Sequence, residues 1–276
     1  MGSSRRRRPL LWIEGGPGFP AHLARPDVDL IADRFRCHLV NAPGCGRTSP
    51  PIDPSGYSLE AHVEFFDAVR DALSPRRGHA HGYSWGALVA IAFASLRPDN
   101  VRRLVVIDGY AGEGSVAERS ATAERERAFD RVRDRPWFEP ALEAFDATID
   151  SRSMSEEELV STFIRCLPLY FADPESDVAI AHIDRLRREF RWNIDVTDRW
   201  DSGEPDDVVP LLPRISFRTL VMVGELDFIC GPVWNRPIAE GIPGARYVEF
   251  EGVGHLPQYE APERFRTELF AWLEES

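Results

Sequence analysis

The stretch His81-Gly82-Tyr83-Ser84-Trp85-Gly86-Ala87-Leu88-Val89-Ala90 sets one serine between two glycines. It follows a short strand-like run at 78–83 and opens an apolar segment at 85–96 that stops before Pro98. Strand, sharp turn and helix is the expected local path. A serine at such a turn takes a strained backbone, so its neighbours two positions away must lack side chains for strand and helix to approach. Gly82 and Gly86 meet that demand, and Ala87 and Ala90 extend the small face against the sheet. The first helical turn also aims N–H groups at charge developing near the hydroxyl. Ser84 is therefore a candidate nucleophile rather than an ordinary turn residue.

A serine hydroxyl attacks only when a base removes its proton, and the base needs an acid to orient it. With a nucleophile on a strand-to-helix turn, acid and base are expected later in the chain, on loops after successive strands. Asp227 closes the apolar run TLVMVGELD (219–227), and His255 closes ARYVEFEGVGH (245–255). The other histidines fit worse: His22, His62 and His182 fall in loop or helix contexts, His38 lies within a strand, and His79 and His81 precede the serine. Asp108, ending VVID (105–108), is a rival acid from an earlier strand. An oxyanion needs two N–H donors. The amide of Trp85 is the first candidate; the second is Gly16, with Gly15 the alternative, in the glycine-rich stretch 14–18.

The chain alternates strands with helices. Apolar runs at 10–13, near 35–40, and at 78–83, 101–109, 219–227 and 245–255 read as strands. Helical spacing occupies 59–73, 85–96 and about 262–274. Continuous apolar strands that each return through a helix describe an α/β fold, a mostly parallel sheet covered on both faces. Between 111 and 203 no strand signal remains, and charge-laced helical segments take over (123–134, 155–167, 178–190). The expected organisation is a core of 1–110 and 204–276 with an inserted helical cap, 111–203.

The 276 residues with 43% hydrophobic content suit one large folded unit. All 33 basic residues are arginine. Without lysine there is no Schiff-base or lysine nucleophile and no ordinary phosphate-cradling lysine loop, so Gly44-Cys45-Gly46-Arg47-Thr48 is not one. The net charge of −12 argues against nucleic acid as a partner. No apolar run reaches membrane-spanning length, and the arginines at 5–8 lead into no apolar leader core, so neither a membrane span nor a secretory signal is expected. Met1-Gly2-Ser3-Ser4 resembles an expression leader, and 1–8 is set aside for the fold. Cys37, Cys45, Cys166 and Cys230 have no metal-like spacing and read as reduced thiols of a cytoplasmic protein. No cofactor and no metal are expected, and the partner is a small-molecule or short-peptide substrate.

Taken in order, the motifs resemble those of the α/β-hydrolase fold, and within it the proline iminopeptidase branch. That branch carries HGGPG, DxRGxGxS, GxSWG, a late GxxD and a GH; here stand EGGPG (14–18), NAPGCGRTSP (41–50), GYSWG (82–86), GELD (224–227) and GVGH (252–255). The match spans about 1–110 and 205–276. The resemblance implies a serine hydrolase acting by acyl transfer on a small ester or amide, with Ser84, Asp227 and His255 as triad and Gly16 and Trp85 as oxyanion donors. Departures bear on prolyl specificity rather than on the machinery. Glu14 replaces the usual histidine, Asn41-Ala42-Pro43 the Asp-x-Arg part, and Glu225-Leu226 an Arg-Tyr pair. Only nine residues precede Leu10, so the N-terminal strands should be abbreviated. An aminopeptidase also needs carboxylates for the substrate ammonium. Glu156, Glu157, Glu158, Asp195, Asp198 and Glu204 are available, and none is assigned. Trp137, Phe138, Tyr170, Phe171, Trp192 and Trp200 are candidates to line an apolar pocket, half or more of them as plain cap core. The alternative function is a non-hydrolytic member of the fold: a lyase, cyclase or ligand-binding protein of secondary metabolism.

Overall fold

A computed structural model describes residues 7–73, 77–112, 123–149, 154–201 and 206–274, without the side chains of 199–201 and 274. Its centre is a six-stranded sheet: β1 (Arg8–Ile13), β2 (Phe35–Leu39), β3 (Gly78–Tyr83), β4 (Val101–Ile107), β5 (Thr219–Gly224) and β6 (Arg246–Phe250). The spatial order is β2-β1-β3-β4-β5-β6, and every neighbouring pair is parallel. β1 begins at Arg8, inside the segment that the sequence reading set aside.

Period-2 geometry sorts the side chains of each strand to opposite faces. Leu10 and Trp12 join one hydrophobic cluster, Leu11 and Ile13 the other; Val105 and Ile107 oppose Leu104 and Val106 in the same way. β5 is buried along its whole length, as a strand covered on both faces must be. Helix Trp85–Leu96 buries eleven of its residues, Trp85 through Ser95, which explains an apolar surface all round. On the opposite face lies the C-terminal helix Pro262–Glu274, through Phe265, Leu269 and Trp272. Its end is tied to β4, where the buried Arg103 guanidinium donates to the carbonyls of Trp272 and Leu273 at 3.1 and 3.0 Å.

Between β4 and β5 the described residues form helices Ala123–Asp130, Phe138–Ile149, Glu156–Cys166, Asp177–Glu189 and Ile194–Asp201, with short 3-10 turns. Their apolar faces merge with the sheet's own cluster, since Phe129, Phe145, Phe163 and Phe190 share it with Tyr83, Ile107 and Met222. The boundary expected at 203/204, like Glu204, lies outside the described residues. No helix among the described residues is long and apolar enough to cross a membrane.

The sheet topology positions the site. From β1 the chain moves outward to β2, then returns past β1 to β3. β1 and β3 are adjacent, with Ile13 opposite Gly82, yet their outgoing connections diverge. A crevice opens beyond the carboxyl ends of strands at such a switch point. The loops carrying Glu14–Gly18 and Ser84 leave the sheet there.

Candidate active site

Ser84 has φ 54° and ψ −124°, a left-handed strain uncommon outside glycine. It is held there by its amide, which donates to the Ile107 carbonyl at 3.0 Å, and by its carbonyl, which accepts from Ala87 at 2.9 Å. A side chain at Gly82 would overlap the Gly86 carbonyl and come within 2.6 Å of Ala87 Cα and 2.7 Å of Ala90 Cβ. One at Gly86 would meet the backbone of β1 and the Glu14 oxygen at 2.5 Å. Glycine is therefore required on both sides of the serine, as its spacing demands.

Asp227 and His255 meet. His255 Nδ1 lies 2.7 Å from Asp227 Oδ2. A carboxylate only accepts, so Nδ1 carries the hydrogen and Nε2 offers its lone pair. The other oxygen, Asp227 Oδ1, accepts from the amides of Ile229 and Cys230 at 2.9 and 3.0 Å. Asp227 is 1% and His255 3% exposed, so the pair is shielded from water. The backbone of His255 is gripped twice: its amide donates to the Tyr170 carbonyl at 2.9 Å, and its carbonyl accepts from the Tyr83 hydroxyl at 3.0 Å. The Tyr83 and His255 rings lie 5.1 Å apart, which sets the imidazole next to the residue preceding Ser84. Ser84 Oγ and His255 do not hydrogen-bond to each other in this structure. Such bonds commonly tighten only on substrate binding.

The glycine loop covers Ser84 from the β1 side. A Cβ on Gly15 would touch Ser84 Cβ at 3.3 Å, and Gly16 takes φ +132°. The Gly16 amide has no acceptor among the described residues. The loop is latched to the insertion: Asn193 N–H donates to the Gly18 carbonyl at 3.1 Å, and the Thr197 hydroxyl to the Pro17 carbonyl at 3.0 Å. Aromatic rings run from this latch to the imidazole. Phe19 lies 5.4 Å from Phe163, Phe163 5.7 Å from Tyr170, and Tyr170 5.4 Å from His255.

Glu14 opens the glycine loop, and its carboxylate accepts from Trp12 Nε1 at 2.9 Å. Burial pushes its pKa up to about 7, against the lowering effects of its hydrogen bonds and of Arg185 and His255. Asp27, which the sequence reading passed over, is raised to about 8 by burial and by the charge of Glu14. It accepts from the Tyr259 hydroxyl at 3.1 Å, and Arg185 from the insertion reaches Tyr259 and the Leu23 carbonyl. Two further groups escaped the sequence reading. The buried Asn235 amide ties Gly109 to the carbonyls of Cys230 and Gly231, joining the loops that follow β4 and β5. Glu260 accepts from the amides of Gly254 at 2.9 Å and Ala172 at 2.7 Å, knotting the histidine loop to the insertion. None of these groups has a periodic signal, because each joins its own loop to a segment distant in sequence.

Glu156, Glu157 and Glu158 are exposed in the first turn of one helix, where Glu158 closes a capping box with Ser155. Asp195 is also exposed. Of the candidate pocket aromatics, Phe138 and Phe171 are buried core, whereas Tyr170 reaches His255; the Trp200 side chain lies outside the described residues.

A strained serine between strand and helix, followed in chain order by an acid and a histidine at the same sheet edge, defines a class, and the comparisons agree with it. The model of the alpha/beta hydrolase fold family matches residues 8–262, and the chain belongs to that family. It is 24% identical to a proline iminopeptidase of Lactobacillus helveticus, covering 100% of this chain and 92% of that one. It is 26% identical to the one from Lacticaseibacillus rhamnosus, covering 98% and 91%. Among solved structures, an alpha/beta fold family hydrolase from Bacillus anthracis superposes with a TM-score of 0.77 at 18% identity, over 97% of this chain and 92% of that one. The enol-lactonase from Burkholderia xenovorans does so with 0.72 at 22% identity, over 98% and 92%. At these identities the structures are alike in fold alone.

Proposed function

We propose that this protein is a serine hydrolase that transfers an acyl group from a small ester or amide to water. In this reading Ser84 is the nucleophile, His255 the base and Asp227 the orienting acid. His255 Nε2 takes the hydroxyl proton as Ser84 Oγ attacks the carbonyl carbon. The oxyanion lies against the amides of Gly16 and Trp85 at the helix N-terminus. The protonated imidazole, stabilised by Asp227, then hands its proton to the leaving group, and water releases the acyl enzyme by the same steps. The insertion acts as a cap that bounds the acyl pocket with aromatic rings.

The observation that carries the reading is the 2.7 Å Asp227–His255 bond, buried beside a serine with positive φ. An ester with an apolar acyl group suits the surroundings better than an N-terminal peptide, because the first-turn carboxylates of helix Glu156–Cys166 face solvent. The proline iminopeptidases among the relatives make amide cleavage the rival outcome. Ser84→Ala is expected to lower turnover of p-nitrophenyl esters by about 10³-fold or more with the fold intact. Retained turnover would remove Ser84 from the reaction. Turnover of prolyl arylamides above that of esters would reverse the substrate preference.

A further inference from the structure

The triad leaves one buried group unused. Asp108 directly follows β4 with φ 44°, the other described non-glycine residue besides Ser84 with positive φ. Its side chain is fully buried and joins Asp227 and His255 in a cluster in which one polar atom of each lies within 4.8 Å of one polar atom of the others. Asp108 Oδ1 accepts from the Gly224 amide at 2.8 Å, whereas Oδ2 has no hydrogen-bond partner. A non-glycine residue is held in this backbone only where the surroundings over-determine it, and such strain gathers at functional positions.

Two carboxylates at this separation, closed off from water, do not both carry charge. Asp227 has the stabilising partners: two amide donors on one oxygen and the imidazole on the other. Asp108 has a single amide donor and an idle oxygen, which becomes satisfied once it holds a hydrogen that it can donate. We propose that Asp108 is a positioning residue, a neutral carboxylic acid at neutral pH, paired with ionised Asp227 and able to replace it as the anion facing His255. This rests on the acyl-transfer reading for its consequence, but not for the proton itself. The titratable groups that bear on Asp108 point the same way. Burial is the largest influence, followed by the charge of Asp227; the charge of Glu260 adds to it, and only the Gly224 amide opposes.

When residue 227 becomes an amide, Asp108 releases its proton to solvent and the negative charge stays beside the imidazole. Where one acid serves a triad, replacing it by its amide costs about 10⁴-fold in kcat. Here Asp227→Asn should lose only about 10- to 100-fold, with the rest lost in the double variant Asp108→Asn/Asp227→Asn. The infrared spectrum of the full chain at pH 7 should show, beyond the bands of the protonated Asp27 and Glu14 carboxyls, a further buried carboxylic-acid carbonyl band that disappears in Asp108→Asn. It should also disappear in Asp227→Asn, by ionisation of Asp108. That second route keeps the test open if Asp108→Asn does not fold, and neither readout would move if Asp108 served only packing. Persistence of the band in both variants, or an Asp227→Asn enzyme no more active than the double variant, overturns the proposal. Fluorophosphonate labelling of Ser84 separates the two claims. Labelling without the band leaves acyl transfer standing and removes the carboxyl pair. The band without labelling or turnover leaves the pair standing and removes acyl transfer.

Discussion

At Ser84 the backbone conformation and its neighbours are one requirement. Strand β3 and helix Trp85–Leu96 approach so closely that a methyl at position 86 would press on the Glu14 carbonyl, which is backbone and cannot rotate away. Gly86→Ala is therefore expected to cost about 3 kcal/mol or more of stability, the upper range of overpacking, read as a lowered denaturation midpoint. Asp27 makes a different demand. Its folded pKa of about 8 stands above the ordinary carboxylate value of 3.8, so the folded chain binds more protons than the unfolded chain between those values. Stability from this group is fully present below about pH 4 and is lost as pH rises through 8. Asp27→Asn keeps an acceptor for the Tyr259 hydroxyl but cannot ionise. Its melting temperature relative to the unmodified protein should thus climb from pH 5 to pH 8, reaching a gain of about 2–4 °C for each kcal/mol recovered. A difference that stays flat with pH would contradict the assignment.

Among elements, the informative contacts run between the insertion and the loops of the sheet edge. Glu260 knots Gly254 to Ala172, one residue from the imidazole on one side and two from Tyr170 on the other. Glu260→Ala should leave KM for a small ester near its original value and lower kcat by roughly 10- to 100-fold, because the loss falls on orientation of His255. Glu260→Gln, which still accepts one of the two bonds, should recover part of that loss. A rise in KM alone would mean that the knot serves only the pocket. These contacts were not legible in the sequence. A glutamate after a short helix carries no periodic signature, and its partners lie 6 and 88 positions away. The elements themselves were legible: Leu59–Leu73, Gly78–Tyr83, Trp85–Leu96 and Pro262–Glu274 begin and end where apolar spacing, glycine and proline set them. Strands at 101–109, 219–227 and 245–255 read longer than the observed β4, β5 and β6, because the loops after them end in buried residues, Asp108, Asp227 and Val253 to His255, that are not part of the sheet. Glu156, Glu157 and Glu158, to which no role was assigned, serve the N-terminus of their own helix.

For the whole molecule, the merged core has a consequence for unfolding. Residues of the insertion and of the sheet share one hydrophobic cluster, with Phe145 5.1 Å and Phe129 5.4 Å from Phe228 on the loop after β5. Calorimetry should accordingly show a single cooperative transition, in which signals from the insertion's aromatics and from the sheet coincide; two separated transitions would make the insertion an independent folding unit. The order Ser84, Asp227, His255 was visible in the sequence because strand ends and glycine spacing mark each position. Asp108 was visible as a rival acid from an earlier strand; that it lies beside Asp227 and His255 together was not, since strand order brings β4 beside β5 without any local sign.

The central claim is that the hydroxyl at position 84 becomes acylated with help from the imidazole at 255. Mass spectrometry of the intact protein and its peptides, after brief exposure to a slowly turned-over ester, reads this directly. One acyl group on Ser84, absent in Ser84→Ala and strongly diminished in His255→Ala, is the expected result. An unmodified Ser84 while product accumulates, or acyl groups on another residue, would contradict it.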